Sequence, residues 1–540
     1  MPASIALDDR LWETQGDVSV RGHGFYNGEY VDTTSIAELV ESTSGRTELK
    51  SLLSSINGFY AVAVARNPET ILATDRMRSC PLFYAIRGDT ILVSDDCGWL
   101  IKKTDVQNLS KQSQIEYETS RFVMGSNTLY EDVYQVQAGE MVTYDASRGG
   151  FTREPYRLHT VTEQQYSTDG LRNRFLSVLD AAFERLTQVA GGRPIAVPLS
   201  GGYDSRLIAV MLKRIGYDNV VTYSVDTGED ITVARDVAEN LDLPWVTAGL
   251  THDDWRSFYD SPRWNRYFDR AGWIGSLPNP THVLALNNLV ERGNLPTNAL
   301  YVPGESALDT MKATPTGLEG ERKIDLQTLT SRILDQHFKY NERTTIPRDE
   351  FTARVAETIE LGSSAEPQSM VEAFERWRLK ERRAKLIVNG ARAFEFCGND
   401  WWLPLEDHQL YEFWRRVPVE QKRHRHFYES FIQDLYASVA DVDETTASTV
   451  ADTTLRSRVA SRVRGRYIWP YAKRAYKVWD RSWLKRLYLW RVCGDDIYNE
   501  DPRFGIMSRT TFRTVYEGQS FPFFSLLAGE TTGSIEFEAW

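Results

Sequence analysis

The sequence predicts two architectures in series, an α+β part rich in strands and then an α/β part with helical additions. Three observations predict it. Over the first ~165 residues, apolar and polar side chains alternate in short runs broken by turn residues, the pattern of half-buried strands. Leu171, Phe175, Leu176, Val178, Leu179, Ala182, Phe183 and Leu186 then recur at helical spacing. Finally, Ile195 to Arg206 reads as a short apolar strand that breaks into a glycine turn and opens a helix, and a second strand comes next at Asn219–Val225.

In the first part the strand candidates are Phe59–Ala65, Thr70–Thr74, Leu82–Ile86, Ile91–Ser94 and Met141–Tyr144. Asn57-Gly58, Asn67-Pro68 and Arg87-Gly88-Asp89 are read as tight turns between them. A polar break at Glu163–Gly170 ends the region, and the long amphipathic helix leads into the strand at Ile195. After that strand, Ser200-Gly201-Gly202 lets a backbone approach an anion closely, and a helix beginning near Tyr203 aims unpaired N–H groups at it. Leu207, Ile208, Val210, Met211 and Leu212 give this helix an apolar face, so strand, loop, helix and strand fit one right-handed βαβ unit. An ordinary strand-to-helix turn that uses two glycines is the competing reading. Ser-Gly-Gly-x-Asp-Ser in this context favours phosphate binding.

A chain of 540 residues exceeds one compact core, and the expected divisions are 1–165, 170–440 and 441–540. No apolar run approaches the ~20 residues that span a bilayer, and Met1 to Arg10 lack the pattern of a secretion signal, so a cytoplasmic protein is expected. Cys80, Cys97, Cys397 and Cys493 lie far apart, which argues against a disulfide framework or a zinc ribbon and for small buried hydrophobes. The histidines show no metal-ligand spacing. A net charge of −12 disfavours a general nucleic-acid binder. The last hundred residues open with a polar linker, Asp441–Thr454, and continue into 456–491, where twelve Lys or Arg stand against Asp480 alone, interleaved with Trp469, Trp479, Trp483 and Trp490. This segment could contact an anionic membrane surface or a protein partner, or pack on the acidic body of its own chain. A homo-oligomer is compatible with the sequence.

Ser200–Ser205 resembles the loop of the pyrophosphatase-loop ATP enzymes, which hold the pyrophosphate released when ATP adenylates a substrate. Asn57-Gly58-Phe59-Tyr60-Ala61-Val62, Asp75-Arg76 before Pro81-Leu82-Phe83-Tyr84, and Val93-Ser94-Asp95 look like the glutaminase-type N-terminal-nucleophile fold of asparagine synthetases. Thr128 through Glu140 looks like the closing hairpin of that fold. Phe394-Glu395, Leu403-Pro404-Leu405-Glu406-Asp407 and Val417-Pro418 before Lys422 are similar to later elements of the same family. The resemblance covers about residues 20 to 435, in order. It implies an N-terminal-nucleophile-like sandwich followed by an α/β pyrophosphatase-loop domain, a ligase that uses ATP and Mg²⁺, a small-molecule or peptide carboxylate and an amine donor.

By that resemblance Leu199, Ser200, Gly201, Gly202, Asp204, Ser205, Arg206, Val225 and Gly304 bind ATP or pyrophosphate. Asp204 and Asp309 hold Mg²⁺, and Glu305 and Lys422 are catalytic. Two departures stand out. The glutaminase members carry a cysteine directly after the initiator Met, where this sequence has Pro2, so ammonia or another amine is the expected nucleophile. In Pro303-Gly304-Glu305-Ser306-Ala307-Leu308-Asp309 the Asp falls one position late, and Arg206 adds a fixed charge where a small hydroxyl residue is usual. Asp204 could instead be a plain helix N-terminal acid. Lys422, among Arg423, His424 and Arg425, could stand on a solvated basic face. Asp407 and Glu395 are expected to support rather than react, and Asp75 and Arg76 to form a structural pair. A β-lactam or lasso-peptide-type cyclase and a catalytically silent scaffold are the alternative readings.

Overall fold

Alternation along the strand Asn57–Arg66 sets the architecture of the first part. Tyr60, Val62 and Val64 point to one face and the small Ala61 and Ala63 to the other, and all are buried. A strand buried on both faces must lie between two layers. The computed structural model, which describes residues 3–226, 231–304, 323–338, 340, 346–449, 501–507, 512 and 522–533, shows those layers.

The strands are β1 (Ala3–Ala6), β2 (Trp12–Gln15), β3 (Val18–Tyr26), β4 (Glu29–Val31), β5 (Asn57–Arg66), β6 (Glu69–Thr74), β7 (Phe83–Arg87), β8 (Thr90–Ser94), β9 (Val133–Gln135), β10 (Glu140–Asp145) and β11 (Gly150–Pro155). One sheet runs β11-β10-β6-β5-β3-β2, with β4 paired to β3, and the other runs β1-β8-β7-β9. Ala61, Ala63, Leu72 and Val142 of the first sheet meet Tyr84, Ile91 and Val93 of the second in one core. Helices α1 (Thr33–Glu41) and α2 (Arg46–Ser55) cover the outer face of the first sheet through Ile36, Val40, Leu49 and Leu53. Helix α3 (Cys97–Thr104) covers the second through Cys97 and Leu100, so the layers run helix, sheet, sheet, helix. Helix α4 (Lys111–Ser120) comes next.

Three sequence readings change here. Asn57-Gly58 opens β5 instead of making a turn, because β3 passes so close that a Cβ on Gly58 would lie 2.4 Å from the Gly24 Cα. The stretch Thr128–Glu140 does not close a hairpin. It carries the chain from β9 in one sheet to β10 in the other, turning at Gly139 (φ +64°), and the hairpin is β10–β11. Asp75 and Arg76 do not pair: the Asp75 carboxylate accepts from the amides of Tyr60, Met77 and Ser79 and from the Ser79 hydroxyl.

The second part begins with α5 (Thr168–Ala190), capped by Ser167. A parallel sheet comes after it, with β12 (Ile195–Pro198), α6 (Tyr203–Arg214), β13 (Val220–Asp226), α7 (Thr232–Asn240), β14 (Trp245–Gly249), α8 (His252–Tyr259), α9 (Pro262–Arg270), α10 (Thr281–Glu291) and β15 (Leu300–Tyr301). The order is β14-β13-β12-β15. Successive strands thus step away from β12 on one side, and β15 returns to the other. Ligands of open α/β sheets bind at such a reversal, outside the carboxyl ends of the strands. Helices dominate the remainder, including a π-helical turn at Leu379–Ile387. The expected linker at Asp441–Thr454 contains a short helix, Glu444–Ser448, capped by Asp443 and seated by the buried Ala447. No helix among the described residues is long and apolar enough to cross a membrane.

Candidate functional site

At the carboxyl end of β12, Leu199 is buried and Ser200 is exposed. The loop folds on itself through Ser205: the Ser200 amide donates to the Ser205 Oγ at 3.0 Å, and the two serine hydroxyls are 3.0 Å apart. The Gly202 amide donates to Ser200 Oγ at 3.3 Å. Gly202 stands at the N-cap with no side chain to offer, so no side-chain hydrogen bond caps α6. The first-turn amides therefore face the loop mouth with the positive end of the helix dipole behind them.

Gly304 closes the reversal point from the other side. A Cβ there would lie 2.8 Å from the Ser205 nitrogen, so the chain leaving β15 passes over the first turn of α6 at backbone contact distance. Leu199, Ser200, Gly201, Gly202, Asp204, Ser205 and Gly304 thus form one cluster beyond the carboxyl ends of the paired strands β12 and β15. Val225 lies near the carboxyl end of the neighbouring strand β13, paired with Ala248. Glu305, Asp309 and the basic segment 456–491 lie outside the described residues, as does Cys493.

The helix His426–Ala440 packs along α6 and holds its first turn. The buried Tyr428 hydroxyl donates to Asp204 Oδ1 at 2.5 Å, and Gln433 Nε2 donates to the Tyr203 hydroxyl at 2.6 Å. Arg206 corrects the sequence expectation. Its guanidinium is buried, donates to the Ala447 carbonyl at 2.7 Å and to the Thr449 carbonyl, and lies over the rings of Tyr203 and Tyr436. Its charge is committed to the carbonyls of Ala447 and Thr449 rather than to the loop.

Lys422 is not on a solvated face either. It is 1% exposed and pairs with Glu375 at 2.9 Å, and Glu375 also meets His159 at 2.9 Å. Burial opposes the Glu375 charge, but Lys422 and His159 hold its carboxyl below the usual range. The Lys422 ammonium thus faces a carboxylate inside the helical part of the chain.

Asp407 and Glu395 are each contacted from the sandwich. Asp407 takes Arg185 in a fork at 2.6 and 2.8 Å and accepts from the Asn57 amide of β5 at 2.8 Å. Glu395 pairs with Arg21 of β3 and with Arg392, and accepts from Trp401 Nε1 at 2.8 Å. Nothing in the sequence singles out Tyr428, Glu375, Arg21 or Asn57 for these contacts. None lies within a motif that announces its partner, and Asn57-Gly58 carries a turn signature that the sheet overrides.

Two family models match the chain: a glutamine amidotransferase domain over residues 21–157 and asparagine synthase over residues 174–286. No curated protein matches it. Among solved structures it is similar to a glutamine phosphoribosylpyrophosphate amidotransferase from B. subtilis complexed with ADP and GMP, at 14% identity over 55% of this chain and 64% of that one, with a TM-score of 0.20. It is also similar to an allosteric regulatory enzyme of purine biosynthesis, at 14% identity over 56% and 63%, with a TM-score of 0.19. The chain spans less than two thirds of either protein, and the layers described above define its fold. The chain thus carries, in order, a region that matches glutamine amidotransferase domains and a region that matches asparagine synthase.

Proposed function

We propose that the chain joins a carboxylate to ammonia or another amine at the expense of ATP, through an acyl-adenylate, with release of AMP and pyrophosphate. The carboxylate oxygen attacks the α-phosphorus as pyrophosphate leaves, and the amine then attacks the activated carbonyl as AMP leaves. The observation that carries this reading is the Ser200–Ser205 loop at the strand-order reversal, with the Gly304 backbone laid against Ser205.

In this reading the amides of the loop and of the first turn of α6 receive the β- and γ-phosphates, and Ser200 and Ser205 add hydroxyl donors. Asp204, a half-buried carboxylate beside those amides, suits a hard cation. Among the described residues no group of three or more His, Cys, Asp or Glu gathers to hold a metal by itself. That fits Mg²⁺, which commonly takes one or two carboxylates together with substrate phosphates, and the ion supplies charge neutralisation at the phosphates when bound. Val225 would meet the adenine through its backbone, and Glu305 would orient the amine. Lys422 is given no step, since its charge is committed to Glu375.

The test is to incubate the protein with Mg-ATP, ammonium and pooled carboxylic acids and to follow AMP and pyrophosphate by mass spectrometry. AMP and pyrophosphate are expected from the wild type and not from Asp204→Ala. Saturable ATP binding absent from the wild type would overturn the reading.

A further inference from the structure

We propose that Arg21 is a positioning residue for the nucleotide loop, acting from the sandwich through Glu395. The proposal rests on the ATP-dependent reading above.

Arg21 is 6% exposed in the middle of β3, and its two terminal nitrogens point to two different parts of the chain. One pairs with Asp95 at 3.2 Å, and Asp95 is itself held by Trp12 Nε1 at 2.9 Å and by the Asp8 amide at 3.2 Å. The other pairs with Glu395. The guanidinium is thus anchored on the sandwich side before it reaches across. Burial works against both charges, yet Glu395 and Asp95 keep Arg21 above its ordinary range, while Arg21 and Arg392 keep Glu395 below its own.

Glu395 passes that anchorage to β15. Its second oxygen accepts from Trp401 Nε1 at 2.8 Å. Trp401 bridges Tyr301 in parallel, the Trp402 amide donates to the Tyr301 carbonyl at 2.9 Å, and the Phe394 ring stacks on Tyr301 at 5.1 Å. Tyr301 ends β15, three residues before Gly304, whose backbone lies against Ser205. Contiguous contacts therefore run from β3 to the loop. A buried ion pair adds little net stability over well-packed apolar residues, whereas a rigid guanidinium fork fixes geometry. Cys80, near Arg21, is buried, and that burial pushes its thiol up.

The experiment is titration of the full chain with Mg-ATP by calorimetry, comparing Arg21→Met, Glu395→Gln, the double variant and Arg21→Lys, with thermal unfolding as the check on folding. Each single variant is expected to raise Kd at least ~10-fold, the double variant no further, because residues acting through one contact are not additive. Arg21→Lys is expected to recover part of the loss. Binding by Arg21→Met within about twofold of the wild type, or additive losses in the double variant, would overturn the proposal. If Arg21→Met does not fold, Glu395→Gln carries the comparison by itself, and unchanged Kd there overturns the proposal equally. A wild type that does not bind Mg-ATP overturns the ATP-dependent reading itself. Binding lost in Asp204→Ala but kept in Arg21→Met overturns only the role of Arg21.

Discussion

Gly304 shows how a single residue decides whether the two halves of the loop site can meet. Its missing side chain is what allows the turn after β15 to lie on the first turn of α6, where a Cβ would sit 2.8 Å from the Ser205 nitrogen and 3.0 Å from its Cα. Both are backbone atoms of a buried helix, so neither can swing aside as a flexible side chain would. Gly304→Ala should therefore push the turn off the loop and weaken Mg-ATP binding by about tenfold or more, equivalent to ~1.4 kcal/mol. Calorimetry would read this directly, and an unchanged Kd would show that the turn yields without cost. Asn57 makes the complementary point. Its amide donates to Asp407 and its oxygen accepts from the His408 amide at 2.9 Å, so a residue that looks like a turn former joins the sandwich to the helical part.

At the scale of elements, α6 is gripped at three of its first four residues by segments that lie more than two hundred residues further along the chain. Tyr203 is held by Gln433, Asp204 by Tyr428, and Arg206 by the carbonyls of the short helix at 444–448 and its end. The grip orients the loop helix but also occupies an oxygen of Asp204 that a cation at the phosphates would use. Tyr428→Phe keeps the ring against Phe175 and Trp414 while removing that hydrogen bond. It should cost about 1–2 kcal/mol of stability for the lost charge-assisted hydrogen bond. It should also lower the Mg²⁺ concentration at half-maximal ATP binding. A Mg²⁺ midpoint equal to or above that of the wild type would mean that Asp204 does not meet the ion.

Across the whole molecule, buried ion pairs tie parts that are remote in sequence. Arg21–Glu395 joins the sandwich to the helix Arg392–Phe396, and Lys422–Glu375 joins two helices of the second part, with His159 of the segment after β11 meeting the same carboxylate. The loop after α4 is held as well, since Lys385 donates to the carbonyls of Val123 at 2.9 Å and Gly125 at 2.6 Å. Glu375 and Glu395 both titrate below their ordinary range in the folded chain. An unfolded chain binds their protons first, so their stabilisation is complete above the unfolded glutamate value of ~4.3 and is lost as pH falls through the lower folded values. Urea midpoints should fall below about pH 4, with a shallower fall in Glu375→Gln. A wild-type slope matched by that variant would remove Glu375 from the account.

What the sequence determined by itself is local. Alternation in β5, β6 and β10, the helical spacing of α5, and the strand, glycine turn and helix at 195–206 arise from side-chain period and backbone freedom, which neighbours in sequence dictate. The motifs at Asn57–Asp95 and Ser200–Ser205 also fall within the two regions that family models match. What only the tertiary structure decided is where charges go. Arg206 faces backbone carbonyls, Lys422 faces Glu375 and Arg21 faces Glu395, because a charge taken out of water must find a partner in space. That partner is set by packing across hundreds of residues rather than by spacing along the chain.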